Sequence, residues 1–178
     1  QDPKSTDIEY SAKINGYKTV EDFIKAHSGS LWIVTMVGFV AGLPFVYQLV
    51  DRERQIEVPK YIRPRTDTPK QTVGYGGCFG CIYSVRGAGG YQMFGITPMT
   101  IYDPKQELSY LKDLMVFFRP GDLIKFRAID QTEYDVILKE TENGQFEPRI
   151  KNFKFSLENF KKDIDGYNNI LKEALYVN

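Results

Sequence analysis

Between Gly74 and Pro98 glycine recurs too often for a helix and too often for a plain sheet. Gly74-Tyr75-Gly76-Gly77-Cys78-Phe79-Gly80-Cys81 is followed by Gly87-Ala88-Gly89-Gly90-Tyr91-Gln92-Met93-Phe94-Gly95-Ile96-Thr97-Pro98. Glycines at strand ends supply positive φ, bulges, or a backbone that approaches another group closely. By spacing alone the block describes a β structure with tight corners. It is not a phosphate loop, because it lacks the closing Gly-Lys-Ser/Thr and no helical pattern follows.

The flanking sequence sorts into three zones. Residues 1–28 form a helical lead-in. Ile8, Tyr10 and Ile14 are apolar, Asn15-Gly16 breaks the run, and Thr19-Val20-Glu21-Asp22 resembles a capping box ahead of Phe23 and Ile24. Residues 29–129 read as β structure. Leu31 to Val37 is a buried-strand candidate bounded by Ser28-Gly29-Ser30 and Gly38, with shorter strands expected at 72–75, 81–85, 91–94 and 122–128. Pro120-Gly121-Asp122 is a turn signal feeding the last of them. Many short strands with glycine-rich turns favour a closed barrel over an open sheet. Residues 130–178 return to helix, with a short helix at 132–140 ended by Glu142-Asn143-Gly144. A final helix is expected from an N-cap at Ser156, placing Leu157, Phe160, Ile164, Tyr167 and Leu171 on one face, with a kink or early end at Gly166.

Composition narrows the function classes. Lys+Arg and Asp+Glu balance at 23 each, so no net charge draws the chain toward nucleic acid or a membrane surface. The longest apolar run, Leu31 to Val40, is too short for a bilayer. Gln1 to Asp7 lacks the regions of a signal peptide, and part of it reads as a cloning remnant. Two cysteines are too few for a disulfide scaffold, and a cytoplasmic, reducing compartment is the default. Cys78-Phe79-Gly80-Cys81 without a second pair is weak for zinc. A redox motif would need a helix after it, whereas Ile82 to Val85 reads as strand, so packing is the expected role and no metal site is assigned.

The block Gly89-Gly90-Tyr91-Gln92-Met93-Phe94-Gly95 resembles the shared motif of the allophanate hydrolase subunit 1 family and of the urea carboxylase carboxyltransferase domain. Three further stretches resemble the same family in the same order. They are Gly38 to Phe45, Arg63-Pro64-Arg65-Thr66 leading into Val73-Gly74, and Phe118-Arg119-Pro120-Gly121-Asp122. Asp7-Ile8-Glu9-Tyr10, Ile14-Asn15-Gly16 and the tail from Glu133 to Ile164 look more like urea carboxylase than its shorter relatives. The resemblance implies a mainly β, cyclophilin-like closed β-barrel with an α-helical lead-in and a C-terminal helix. It also implies one component of a biotin-dependent urea carboxylase-like enzyme, moving a carboxyl group from carboxybiotin to a urea- or amide-type nitrogen. Biotin would arrive on a partner carrier, and ATP would be used only through a partner biotin carboxylase. A second homologous carboxyltransferase barrel would complete the site, leaving this chain inactive alone. The expected family subdomain before Asp7 and a biotin-accepting Met-Lys-Met are not in the sequence. A component of 5-oxoprolinase and a non-catalytic histidine-kinase inhibitor of the same fold are the rival readings.

Such a reaction needs donors for oxyanion character and a group to manage a nitrogen proton. Gln92 and Tyr91 are the catalytic candidates, with Gln92 a fixed amide beside backbone N–H groups of Gly76, Gly77, Gly89 and Gly90. Gln92 reads equally as a barrel-interior amide. Arg63 and Arg65 are candidates for gripping a carboxylate, or for ion pairing with Asp51, Glu53 and Glu57. Phe39, Pro44 and Tyr47 are expected to wall a pocket. His27, the single histidine, reads as a helix C-terminal cation before it reads as a base. Ile96 stands where the family carries Arg in a Gly-Arg-Thr pattern, which weakens transfer of the family's substrate.

Overall fold

In a computed structural model the structure describes residues 4–176, so the first three residues of the expected lead-in, part of the stretch read as a cloning remnant, lie outside the described residues. Helix α1, Asp7–Ile14, begins with a reciprocal box: Glu9 N–H donates to the Thr6 hydroxyl, and Thr6 N–H donates to the Glu9 carboxylate. Helix α2, Val20–Gly29, has only half of the box expected there. Thr19 accepts from Asp22 N–H at 3.0 Å, and the helix buries Phe23 completely.

The strands are β1 Leu31–Val37, β2 Pro44–Gln48, β3 Arg65–Thr68, β4 Thr72–Gly76, β5 Phe79–Ile82, β6 Gly87–Gly89, β7 Gln92–Ile96 and β8 Leu123–Lys125. Six form an antiparallel sheet in the order β7-β4-β5-β2-β1-β8, while β3 and β6 pair separately. The mainly β architecture with flanking helices is as expected. The closure is not made by hydrogen bonds, however: among the described residues no ladder joins β7 to β8. Aromatic side chains bridge that seam instead. The His27 ring lies 5.6 Å from Phe94 of β7 and 4.9 Å from Phe126, which follows β8.

The core is built by alternation. Trp32, Val34, Val46 and Tyr75 point inward, joined by Phe23, Ile56 and Val58. Tyr75 stacks on Phe94 at 5.5 Å and meets Trp32 edge-on at 5.8 Å. Its hydroxyl donates to Ile56 C=O at 2.8 Å, so the one polar atom of a fully buried ring is satisfied.

Local boundaries shifted where turn chemistry outweighed pattern. The strand expected at 81–85 runs instead over Phe79–Ile82, because Ser84 turns away to donate to Ala41 C=O. Ladder pairing over 122–128 is confined to Leu123–Lys125. Helix α3 spans Gln131–Glu142, capped by Asp130. The expected final helix is two: α4, Leu157–Lys162, and α5, Ile164–Tyr176. The break falls at Asp163, whose backbone is extended and whose carboxylate accepts Gly166 N–H at 2.9 Å. A new N-cap starts a second helix there, and Gly166 is the residue that leaves room for it.

Candidate functional site

The outer face of β4 carries glycine at positions 74 and 76 because Tyr91 lies on it. A Cβ at Gly76 would sit 2.6 Å from Tyr91 Cδ1, and one at Gly89 would sit 2.5 Å from the Tyr83 hydroxyl. No side chain fits at either place. Gly77 has φ +66 in the tight β4–β5 turn, and its N–H donates to Val58 C=O at 2.6 Å. The Gly90 carbonyl accepts Tyr61 N–H at 2.8 Å. These polar groups of the glycine block therefore serve pairing.

Residues 59–64 cross this face as a strap. Lys60 Nζ lies 5.2 Å from the Tyr91 ring centre, and the Tyr61 ring lies 4.9 Å from the guanidinium carbon of Arg65. The Tyr61 hydroxyl donates to Asp7 at the start of α1. Arg65 Nη2 donates to Tyr91 C=O at 2.7 Å and Nε to Thr68 Oγ1 at 3.3 Å, while its buried Nη1 has no hydrogen-bond partner. Arg63 is exposed on the same segment. The expected pairing of Arg63 and Arg65 with the Asp51 cluster does not form, since Asp51 is engaged by Arg54 at 2.5 Å. The neighbouring Asp67 is held by Arg86 at 2.6 Å, which lowers its carboxyl below the ordinary range. Lys60, Arg63 and Arg65 thus carry three cations on one short segment, and none has an ion-pair partner among the described residues.

The two catalytic candidates separate. Tyr91 lies on the outer face against Phe45 at 6.1 Å, and burial pushes its phenol up to about 12, so it is a hydrogen-bond donor at neutral pH. Gln92 pairs in register with Tyr75 and points inward with it. It is buried, and its Nε2 donates to Pro59 C=O at 2.8 Å, at the root of the strap. Tyr47 packs on Phe79 at 5.7 Å on the outer face; Pro44 is buried where β2 begins. Phe39, 73% exposed with φ 71, stands in the turn before β2. The strap thus gathers Tyr91, Gly76, Gly77, Gly89, Gly90, Arg63 and Arg65. The sequence reading did not single out Lys60; its place between Pro59 and Pro64 was the available signal.

Two other features define the surroundings. Cys81 is buried with Leu43 and Tyr83, and burial pushes its thiol up to about 12, in keeping with packing. At the seam, a cleft of about 220 Å³ is lined by His27, Val73, Phe94, Ile96, Phe126 and Arg127. The expected helix-terminal cation is not found there. Burial, and then the nearby Lys125 charge, lower His27 to about 4, so its ring is neutral among aromatics.

Comparison with known proteins decides the family. The profile described as carboxyltransferase domain, subdomain C and D, matches residues 1–111. The chain belongs to that family. It is 31% identical over 135 residues to the B subunit of the Bacillus subtilis 5-oxoprolinase, covering 76% of this chain and 52% of that protein. It is 28% identical over 160 residues to the urea amidolyase of Lachancea kluyveri, covering 89% of this chain and 8% of that one. The crystal structure of the K. lactis urea amidolyase superposes with a TM-score of 0.80 at 26% identity, covering 96% of this chain and 10% of that one. The chain therefore spans about half of the shorter relative and a small part of the longer ones. Among the described residues, no helix is long and apolar enough to cross a membrane.

Proposed function

We propose that this chain is half of the carboxyltransferase module of a urea carboxylase-like enzyme, moving a carboxyl group from carboxybiotin to a urea- or amide-type nitrogen. The observation that carries the reading is the coverage of the C-terminal extension. The urea amidolyase structure covers 96% of the chain, which leaves room for little of α3 to α5 to fall outside, and in sequence the urea amidolyase covers 89% of it against 76% for the bacterial 5-oxoprolinase component. The reading places biotin on a partner carrier, ATP with a partner biotin carboxylase, and a second barrel beside this one.

The strap fits such a donor. The unpaired Arg65 Nη1 and the ion-pair-free Arg63 and Lys60 are the residue types that receive a carboxylate or the ureido oxygen of carboxybiotin. Bound biotin supplies the carboxyl group. The chain's own part is to orient that group and to stabilise negative charge on its oxygens. Because Arg65 Nη1 is buried, a donor meets the exposed Arg63 and Lys60 first and reaches Nη1 only as the strap shifts. The Tyr91 phenol, protonated at neutral pH, adds a second donor on the same face. Gln92 fixes the root of the strap through Pro59 and so positions both.

The test is reconstitution with a homologous partner barrel, a biotinylated carrier and a biotin carboxylase. Urea- or amide-dependent ATP turnover that needs this chain is the expected result. ATP-dependent opening of 5-oxoproline, with urea and amides inert, would overturn it in favour of the 5-oxoprolinase reading.

A further inference from the structure

A second cleft lies beyond the strap, where Lys70 and Gln71 and the loop at 100–108 face the C-terminal end of α3. It encloses about 540 Å³, and its walls include Lys70, Gln71, Glu107, Leu108, Leu138 and Glu142. Gln71 is the unusual member. It is only 7% exposed, its φ is 68, and its buried Nε2 has no hydrogen-bond partner. Its backbone is fully committed, with N–H donating to Tyr83 C=O and C=O accepting Thr97 N–H at 2.9 Å. The fold therefore fixes this residue in a left-handed conformation and leaves its amide donor unsatisfied, a combination that costs free energy unless something else uses it.

The other walls have a clear polarity. Asp103 is not available to a ligand, because its carboxylate accepts the N–H groups of Lys105, Glu107 and Leu108 at 2.7 to 3.0 Å and so sets the loop rigidly. Glu107 and Glu142 are exposed, and neither has an ion-pair partner among the described residues. Glu142 ends α3, whose terminal carbonyls add partial negative charge. Lys70 and Gln71 stand as the donor side, and Leu108 and Leu138 supply apolar wall between them.

We infer that this cleft binds a zwitterionic, aliphatic α-amino acid, its carboxylate toward Lys70 and Gln71 and its ammonium toward Glu107, Glu142 and the end of α3. A purely anionic ligand would meet the acidic side unpaired, and a simple amine would leave Gln71 unused. The site is independent of the strap and of any carboxyl transfer.

Titration calorimetry of the full chain with L-leucine tests this, with 4-methylpentanoate and leucinamide as probes lacking the ammonium and the carboxylate respectively. Saturable binding of leucine is expected, with each probe roughly tenfold weaker or worse, as is usual for losing one charge-assisted contact. The surface variants Lys70→Met and Glu142→Gln should weaken leucine binding to a similar degree. Gln71→Leu should weaken binding while melting no lower than the parent, since the fold does not use the amide. Absence of saturable binding, equal binding of all three probes, unchanged binding in the variants, or a clear drop in melting temperature for Gln71→Leu would each overturn the assignment.

Discussion

If Gly76 is glycine because Tyr91 lies on it, adding one methyl group there has a calculable consequence. In Gly76→Ala the new Cβ would stand 2.6 and 2.8 Å from Tyr91 Cδ1 and Cε1, and 2.9 Å from Lys60 Cγ. Lys60 can swing aside, but Tyr91 is wedged against Phe45 and its carbonyl is held by Arg65, so the ring or strand must move. Overpacking of this kind costs about 1–3 kcal/mol. With a urea m-value of about 2 kcal/mol/M, the midpoint should fall by roughly 0.5–1.5 M. The diagnostic quantity is the coupling with Tyr91→Ala. Once the ring is gone the same methyl meets only the Lys60 side chain, which can swing aside, so Gly76→Ala in that background should cost no more than about 0.5 kcal/mol. Gly95→Ala is the control, because nothing lies within 4 Å of its Cβ position. Additive costs for Gly76→Ala and Tyr91→Ala, or a Gly95→Ala cost as large as that of Gly76→Ala, would refute the reasoning.

Other outcomes follow from the same structure. Gly166→Ala places a methyl group on the Asp163 carboxylate that caps α5, so it and Asp163→Ala should each cost about 1 kcal/mol and the pair little more than either, read by chemical denaturation. His27 binds a proton at an ordinary 6.5 when unfolded and only near 4 when folded. Stability is therefore full above pH 6.5 and falls as pH drops toward 4, by up to about 3 kcal/mol; His27→Phe should flatten that slope, and an unchanged slope would exclude the half-buried neutral ring. At pH 8 a thiol reagent should label Cys78 well ahead of Cys81, whose buried thiol is pushed up to about 12, with both reacting after denaturation; equal native rates would contradict the packing of Cys81.

The mainly β architecture was legible because apolar alternation in Leu31–Val37 and the glycine punctuation of 74–98 act locally. Strands β2, β3 and β6 were not. Phe39 to Tyr47 read as a pocket wall because Gly42 and Pro44 interrupt it, yet cross-strand partners in β1 and β5 draw Pro44–Gln48 into the sheet. The means of closure was not legible either, since the seam depends on three aromatic side chains distant in sequence and not on a strand pattern. The early end expected at Gly166 falls slightly sooner, at Asp163, because a capping carboxylate inside an apolar stripe leaves no mark on periodicity. At the candidate site, residue types were readable but faces were not. Tyr91 and Gln92 are adjacent in sequence and therefore lie on opposite sides of the sheet, a consequence of strand geometry that a motif does not display. The cleft beside Gln71 had no sequence signal, because its walls come from three separate segments.

The most direct measurement is a single-turnover chase. A biotinylated carrier is loaded with labelled carboxyl by a biotin carboxylase, then mixed with urea and the partner barrel, with or without this chain. Transfer of label to urea should require the chain and should fall by about 100-fold or more in Arg65→Met, the order expected when a charge-stabilising donor is removed. Equal transfer without the chain, or label retained on the carrier whatever urea or amide is supplied, would contradict its role as a carboxyltransferase half.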